Sequence, residues 1–289
     1  MFIEKSELEN FADDNTISAS ARNIHELVKL LEAESNVAIN WFKNNGMTAN
    51  ADKFHAIIIN RCGRNNYLQK ICLDGTEIES EESVELLGIK IDSKLNFKSH
   101  IDKLCKRAAG QLNAISRIGY LIEPKAKQVL IQTFILSNFN YCPLVWMHCS
   151  NESMRKIERI QERALRLLNC DYVNSYNLLL HNSNSQTMQE KRINILAIEI
   201  FKTLNNLNPP YMKDLFVINN IRSHYPENLM AQIHHYVTYG EKSIRILGPK
   251  IWNALPKYLK QKRTLYSFKK LMKLLSLDSV SGRALFLIK

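Results

Sequence analysis

Residues 8–18 read Leu-Glu-Asn-Phe-Ala-Asp-Asp-Asn-Thr-Ile-Ser, so two short runs with apolar residues flank an Asp-Asp-Asn turn. Turn-forming residues between two such runs predict a tight β-hairpin. The adjacent carboxylates of Asp13 and Asp14 are well placed in such a turn to hold Mg²⁺, because this hard cation prefers oxygen ligands. Asp and Asn are also ordinary turn residues, so the turn by itself leaves a purely structural role open.

The residues that follow predict one long helix and several strands. Apolar residues recur every three to four positions over residues 21–43, which is typical of a helix with one buried face, and Asn44-Asn45-Gly46 predicts where that helix stops. Three consecutive isoleucines mark residues 55–61 as a buried strand. Asp74-Gly75 predicts a second hairpin, and residues 84–92 are predicted to form a further strand. Together these elements predict a mixed β-sheet with at least one helix packed on a face.

After residue 92 the sequence becomes helical. Residues 97–118 combine an apolar stripe with cations on the opposite side, and residues 124–138 predict another helix. A third helix begins near residue 150, and arginines recur every three to four residues on its polar face. Four arginines in one row suggest a role beyond solubility. The cationic positions on the first and third of these helices are Lys98, Lys103, Lys106, Arg107, Arg155, Arg159, Arg163 and Arg166. Further along, Thr187-Met188-Gln189-Glu190 is a capping box and predicts the start of another helix.

Charge is distributed unevenly along the chain. Residues 1–92 contain 9 Lys and Arg against 16 Asp and Glu, whereas residues 93–289 contain 30 against 12. The net charge of +11 therefore arises entirely from the second part. An asymmetry of this size favours a polyanionic partner, most often a nucleic acid. A lysine-rich solvated surface is the alternative explanation.

Composition places the chain among ordinary globular proteins. Its 289 residues, 45% hydrophobic and 23% charged, exclude the collagen-like, disordered and fibrous classes. The amino terminus lacks the apolar run of a signal peptide, and polar residues interrupt the longest apolar stretch, residues 129–147, so neither secretion nor a membrane span is predicted. The six cysteines contain no Cys-x-x-Cys pair and predict free, mostly buried thiols. The expected location is intracellular, in the nucleus, the cytoplasm or both.

Three segments of the first 92 residues resemble the palm of a polymerase. Phe11-Ala12-Asp13-Asp14 resembles the catalytic aromatic-Ala-Asp-Asp motif of reverse transcriptases. Residues 41–50, which begin with Trp and contain Asn-Asn-Gly, resemble together with Lys53 the next palm motif. Residues 87–92, which begin Leu-Gly, resemble the hairpin that grips the primer.

The resemblance continues through most of the chain. Residues 95–101 resemble the start of the thumb, and residues 240–256 are similar to the segment that ends many elements of this type. That last segment includes Gly-Pro-Lys-Ile-Trp-Asn at residues 248–253. The family that these ordered segments resemble is the non-LTR (LINE-type, jockey-like) retrotransposon reverse transcriptase.

The resemblance implies an RNA-directed DNA polymerase, which adds dNTPs to a primer 3′ end on an RNA template by two-metal-ion catalysis. In such an enzyme Asp13 would be a ligand of the catalytic Mg²⁺ ions, with Asp14 beside it as a second ligand or a support. Lys53 would be a catalytic residue near the phosphates of the incoming nucleotide and would act as a proton donor, although a surface lysine at the start of a strand is an equally open alternative. Phe11 and Ala12 would pack beneath the primer terminus.

The same resemblance implies how the chain would hold nucleic acid. Leu87 and Gly88 would let the backbone approach the primer, since glycine has no side chain to block the contact. The cationic helices would follow the phosphates of an RNA–DNA duplex without reading its sequence, and such binding weakens steeply with salt.

The resemblance also implies parts that the ten residues before Phe11 cannot hold. Palm polymerases of this family need a further aspartate on a strand far upstream of the Asp13-Asp14 hairpin, and fingers that hold template and nucleotide. The chain by itself is therefore expected to be a palm–thumb fragment without nucleotide-transfer activity. A non-catalytic nucleic-acid-binding remnant and a decayed insertion remain the alternatives.

The expected fold class is α+β, with a partial palm-type mixed sheet and packed helix followed by a mainly α-helical thumb and C-terminal region. Residues 1–92 would form the partial palm. Residues 93–210 would form the thumb, and residues 211–289 the C-terminal region with its Gly-Pro-Trp-Asn segment and a last basic helix. The expected partners are an RNA template, a DNA primer and, in a complete domain, dNTPs.

Overall fold

The computed structural model describes residues 5–60, 68–218, 228–230 and 243–274. The α+β class is confirmed, with short antiparallel strand pairs mainly in the first part and helices through the rest. The chain divides into two compact units, Met1–His100 and Ile101–Lys289. No helix in the described ranges is long and apolar enough to cross a bilayer. The three-part organisation inferred from the sequence stays a prediction.

The first unit opens with the predicted hairpin, formed by strands β1 (Glu7–Phe11) and β2 (Asp14–Ser18). Its turn is Ala12-Asp13 and not the predicted Asp-Asp-Asn, because Phe11 pairs with Asp14. The register also pairs Leu8 with Ile17, which places both apolar side chains on one half-buried face. Two residues then remain for the turn, and Ala12 takes the left-handed conformation at φ 54°.

Helix α1 (Ile24–Asn44) confirms the helix predicted over residues 21–43. It begins three residues later than predicted because the side chain of Asn23 accepts a hydrogen bond from the backbone N–H of Glu26 at 2.8 Å and so caps the helix. It ends where the Asn-Asn-Gly stop predicts, and Gly46 adopts φ 75°.

A second hairpin, formed by β3 (Lys70–Leu73) and β4 (Thr76–Glu79), confirms the turn predicted at Asp74-Gly75. Both turn residues have positive φ, as a type I′ turn requires. Helix α1 covers the outer edge of β3 with side chains. Glu32 Oε1 accepts from the Cys72 N–H at 2.7 Å, and Asn36 Oδ1 accepts from the Asp74 N–H at 2.8 Å.

The predicted mixed sheet is wrong in its connectivity, since the described strands form separate two-stranded pairs. Residues 84–92 are not one strand but the hairpin of β5 (Ser83–Leu86) and β6 (Ile89–Asp92), because Leu87 and Gly88 both adopt positive φ and reverse the chain. The strand predicted at residues 55–61 makes one parallel bridge, between Ile57 and Glu81, and its last residue lies outside the described part. Pairing partners, not local composition, decide this outcome.

From residue 98 onward the structure is mainly helical, as predicted. The capping box that predicts the helix starting at Met188 is confirmed, with Thr187 Oγ1 accepting from the Glu190 N–H at 3.1 Å and Glu190 accepting from the Thr187 N–H at 2.9 Å. The α-helices are α2 (Lys98–Ile118), α3 (Pro124–Leu130), α4 (Pro143–Trp146), α5 (Asn151–Asn169), α6 (Tyr176–Asn182), α7 (Met188–Leu204), α8 (Ile244–Ala254), α9 (Lys257–Lys260) and α10 (Leu265–Leu274).

Shorter elements join these helices. The helix predicted over residues 124–138 is α3 continued by one π turn and one 3-10 turn. The remaining short elements are a 3-10 turn at Pro210–Leu215 and the strand pair β7 (Val217–Ile218) and β8 (Leu229–Met230).

The main hydrophobic core of the second unit lies between α7, α8 and α10. Phe201 of α7 stacks on Phe268 of α10 with ring centroids 4.4 Å apart, and Trp252 of α8 lies 6.2 Å from the same ring. All three side chains are almost fully buried. The last helix predicted by the sequence is therefore part of the core.

The Gly-Pro-Lys-Ile-Trp-Asn segment is explained by this packing. A Cβ on Gly248 would lie 2.7 Å from the ring of Phe216, so only glycine fits there. The side chain of Asn253 accepts from the backbone N–H of Leu229 at 2.9 Å and donates to its carbonyl at 2.8 Å, as a neighbouring strand would. The segment ties α8 to the core and to β8.

The cysteine prediction is half right. The five cysteines in the described part are free thiols, as predicted, but only one is buried, because two of the exposed ones occupy left-handed helix-end positions and a third lies on the exposed side of β3. Cys149 is buried and Cys105 half-buried, Cys72, Cys142 and Cys170 are exposed, and Cys62 lies outside the described residues.

Candidate nucleic-acid interface and carboxylate hairpin

The first hairpin presents two carboxylates to solvent. Asp13 lies in the turn and Asp14 is the first residue of β2, and both are exposed. Phe11, which pairs with Asp14, is 66% exposed, an unusual position for a phenylalanine. The side chain of Asn15 donates to the carbonyl of Asp13 at 3.2 Å and steadies the turn.

The carboxylate oxygens of Asp13 and Asp14 are the type of ligand that Mg²⁺ prefers. Magnesium is commonly held by one or two carboxylates, with substrate phosphates and water completing its shell. Among the described residues, no three His, Cys, Asp or Glu side chains form a group that could hold a metal ion. Asp13 and Asp14 alone supply two carboxylates, fewer than the three side chains of such a group.

Other predicted site residues of the first unit lie on different elements. Lys53 ends a 3-10 turn (Ala51–Lys53) after α1 and is exposed. Leu87 and Gly88 form the turn between β5 and β6, at φ 47° and 78°. A leucine at positive φ is strained, so this turn exposes backbone at an energetic cost.

In the second unit, α2 and α5 lie side by side. Lys156 Nζ of α5 donates to Asp102 of α2 at 2.7 Å, and Arg163 Nη2 donates to Asn113 at 2.9 Å. Asp102 precedes Asn113 in α2, and their partners Lys156 and Arg163 follow in the same order in α5. The two helices therefore run in the same direction. These contacts define the seam between α2 and α5.

Exposed cations border this seam on both helices. Lys106 and Arg117 each lie one turn beyond a residue of α2 that touches α5, and Arg159 lies one turn before Arg163. In the described part of the chain, Arg155 and Arg159 make no ion pair. We call the following exposed set the cationic face: Lys103, Lys106, Arg107, Arg117, Arg155, Arg159 and Arg163.

Three further cations of α2 and α5 lie outside this set. Arg166 is only partly exposed, and its guanidinium donates to Glu162 at 2.6 Å and to the carbonyl of Asn174 at 3.1 Å, so it serves the fold and not the face. Lys156 is held by Asp102, and that hydrogen bond raises the pKa of the lysine. Lys98 is exposed but begins α2 within the first unit.

One feature of this region has no counterpart in the sequence prediction. Large apolar side chains are exposed where α2 and α5 end, with Tyr120 84% and Tyr172 70% exposed. Each follows its helix within three residues, but the sequence alone does not show which end-of-helix side chains lack a cover.

The predicted site residues thus lie mainly on the first hairpin of the first unit and on the cationic face of the second, and Lys53, Leu87-Gly88, Lys98 and Arg166 stand apart from both. Helical periodicity predicts the cationic face, whereas the partners of Arg166 and Lys156 are seen only in the tertiary structure.

Compared with known proteins, the chain matches no family model, no curated protein and no solved structure.

Proposed function

We propose that this chain is the palm–thumb part of a non-LTR retrotransposon RNA-directed DNA polymerase, and that its helical unit binds RNA–DNA duplex through the cationic face. The observation that carries this proposal is the row Arg155, Arg159 and Arg163 beside the cations of α2. Like charges placed this close repel one another. A polyanion laid along the face relieves that repulsion.

The dimensions of the row suit a nucleic-acid backbone. With a rise of about 1.5 Å per residue, Arg155 and Arg163 lie about 12 Å apart along α5. That distance corresponds to between three and four nucleotides of one strand at about 3.4 Å each. Arginine also forms bidentate hydrogen bonds to phosphate, which lysine cannot do.

The carboxylate hairpin supplies the second half of the proposal. Asp13 and Asp14 would hold Mg²⁺, which stabilises the attacking and leaving oxygens of nucleotide transfer when it is bound. The exposed ring of Phe11 and the turn at Leu87-Gly88 offer surfaces for the primer end. Lys53 would neutralise phosphate charge on the incoming dNTP.

Duplex binding is tested by fluorescence anisotropy with a labelled RNA–DNA duplex of about 20 base pairs, titrated between about 50 and 200 mM salt. Each neutralised phosphate contributes about 0.9 to the slope of log K against log salt. The variant R155A/R159A/R163A is therefore expected to lose at least tenfold in affinity at low salt and to reduce the slope by about 2–3.

The matched control removes three exposed lysines from one face of α10, as K269A/K270A/K273A. Because the change in net charge is the same, this control separates the cationic face from overall charge. It is expected to change affinity less than threefold. Equal losses in both variants would contradict a defined interface.

Nucleotide transfer is tested separately, by primer extension on an RNA template with Mg²⁺ and dNTPs. The purified chain is expected to bind the duplex but not to extend the primer, since the polymerases that it resembles also need a further aspartate and fingers, which this chain is not expected to hold. Extension that disappears in the D13N variant would overturn the expected inactivity and place catalysis in this chain. Absence of duplex binding would contradict the whole proposal.

A further inference from the structure

Four large apolar side chains project into solvent at one end of the second unit. Tyr120 and Leu121 follow the end of α2 and are 84% and 71% exposed. Tyr172 and Val173 follow the end of α5 and are 70% and 94% exposed. Exposed apolar groups of this size in one place mark an interaction site more often than a chance feature.

The two groups lie at the same end of the α2–α5 pair. A Cβ built on Gly119 would lie 3.4 Å from Cδ1 of Leu167, so the end of α2 touches the last turns of α5. Because the two helices run in the same direction, the loops that follow them emerge together. We call Tyr120, Leu121, Tyr172 and Val173 the apolar tip.

The loop that carries half of the apolar tip is held in place by hydrogen bonds. Asp171 Oδ1 accepts from the backbone N–H groups of Val173 and Asn174, each at 3.1 Å, and Oδ2 accepts from the Asn174 side chain at 2.7 Å. These bonds lower the pKa of Asp171. The guanidinium of Arg166 donates to the carbonyl of Asn174 and ties the loop to α5. These bonds hold the backbone of the loop, and with it the positions from which Tyr172 and Val173 project into solvent.

Charge identifies the partner. Arg117 lies one turn before Tyr120, and Arg163 lies one turn before Leu167, so the cationic face leads directly to the apolar tip. A polyanion that follows the face reaches this end, where its charge is no longer met by cations but by aromatic rings. Unpaired nucleobases have the flat apolar faces that stack on such rings, whatever their sequence.

We propose that the apolar tip binds the unpaired bases of a single-stranded extension that leaves the duplex, with Tyr120 and Tyr172 as the stacking surfaces. This inference rests on the proposed duplex binding along the cationic face. It adds a second class of ligand, single-stranded nucleic acid next to a duplex end. The tip would then position the chain at a junction and not at an arbitrary point along a duplex.

The test compares a blunt RNA–DNA duplex with duplexes that carry an extension of about four nucleotides on each strand end in turn. A 2-aminopurine in the extension reports stacking through its fluorescence. We expect at least one extension to raise the affinity of the full chain about tenfold, since stacking on an aromatic side chain commonly gives a tenfold gain or more per base. Its 2-aminopurine is expected to be quenched.

The variant Y120A/Y172A is expected to lose this gain and the quenching while it binds the blunt duplex as the original chain does. Y120F/Y172F keeps both rings and is expected to keep the gain. The matched control Y211A/Y266A removes two other tyrosines that are 68% and 78% exposed, and it is expected to change nothing.

Two failures can be told apart. If the blunt duplex does not bind, the proposed function fails and the inference fails with it. If the blunt duplex binds but no extension raises the affinity, only the stacking proposal is overturned. That result would favour a protein partner for the apolar tip. If Y211A/Y266A also loses the affinity gained from the extension, the assignment of base stacking to the apolar tip is overturned.

Discussion

Helix α8 and the cationic face both stand out in the sequence, but the structure explains them in different ways. In α8, Gly248 admits the ring of Phe216, Trp252 fills the core and Asn253 pairs with the backbone of Leu229. No comparable contact in the described part of the chain accounts for the exposed arginines of α5, apart from the bond of Arg163 to Asn113. Because Gly248, Trp252 and Asn253 serve packing and backbone pairing, this motif gives no indication of a ligand.

Two helical glycines show the same contrast on the scale of one atom. A side chain at Gly248 would collide with Phe216, whereas the space around Gly110, in the middle of α2 and exposed, is open within 4 Å. Glycine inside a helix costs about 1 kcal/mol relative to alanine. At Gly248 the packing of Phe216 requires a glycine despite this cost. At Gly110, which lies among the cations of the cationic face, no packing contact requires one.

The largest expected effect comes from removing the core side chain of α8. Trp252→Ala should lower the free energy of unfolding by about 3–5 kcal/mol, because it empties a buried aromatic site between α7 and α10. Urea denaturation followed by circular dichroism measures this. The variant R155A/R159A/R163A serves as the contrast and should unfold within about 0.5 kcal/mol per substitution of the original chain. A loss below about 1 kcal/mol for Trp252→Ala would break the distinction between the two regions.

The glycine pair gives a smaller effect with opposite signs. Gly248→Ala should destabilise by about 1–3 kcal/mol, because its Cβ would meet the ring of Phe216 at 2.7 Å. Gly110→Ala should stabilise by about 1 kcal/mol, because alanine favours the helix and meets nothing. Thermal and urea unfolding of the two variants measure the difference. Two changes of the same sign would show that the surroundings assigned to one of these glycines are wrong.

The third effect leaves stability unchanged and tests which side of α2 faces inward. Cys105 stands between Lys103 and Lys106 in the sequence but points away from the cationic face, and burial raises the pKa of its thiol to about 11. Only the thiolate reacts, so at pH 8 Cys105 should be alkylated about a hundredfold more slowly than a thiol with the ordinary pKa of about 8.5. The rate should rise about tenfold per pH unit up to about pH 11. Mass spectrometry resolves the rate at each cysteine, and a Cys105 rate that levels off near pH 9 would contradict its placement.

Sequence patterns predict the elements whose cause is local. The Asn-Asn-Gly stop of α1, the turn at Asp74-Gly75 and the capping box of α7 are each built from neighbouring residues, and each is confirmed. The periodicity of α2 and α5 likewise predicts which cations are exposed, because a helical face follows from spacing alone.

Patterns fail where a distant partner decides. The pairing of Leu8 with Ile17 moves the first turn to Ala12-Asp13, and the left-handed backbone of Leu87 turns a predicted strand into a hairpin. Arg166 belongs to the predicted row of arginines, but Glu162 and the loop at Asn174 engage it. The apolar tip also depends on the way in which two helices end beside each other, which spacing does not reveal.

The measurement that most directly tests duplex binding by the cationic face is the salt dependence of RNA–DNA duplex affinity for the full chain and for R155A/R159A/R163A. A steep linear fall of log K with log salt is expected, and its slope should shrink by about 2–3 in the variant but not in K269A/K270A/K273A. The same slope in all three proteins would contradict the assignment of the cationic face as the phosphate-binding surface.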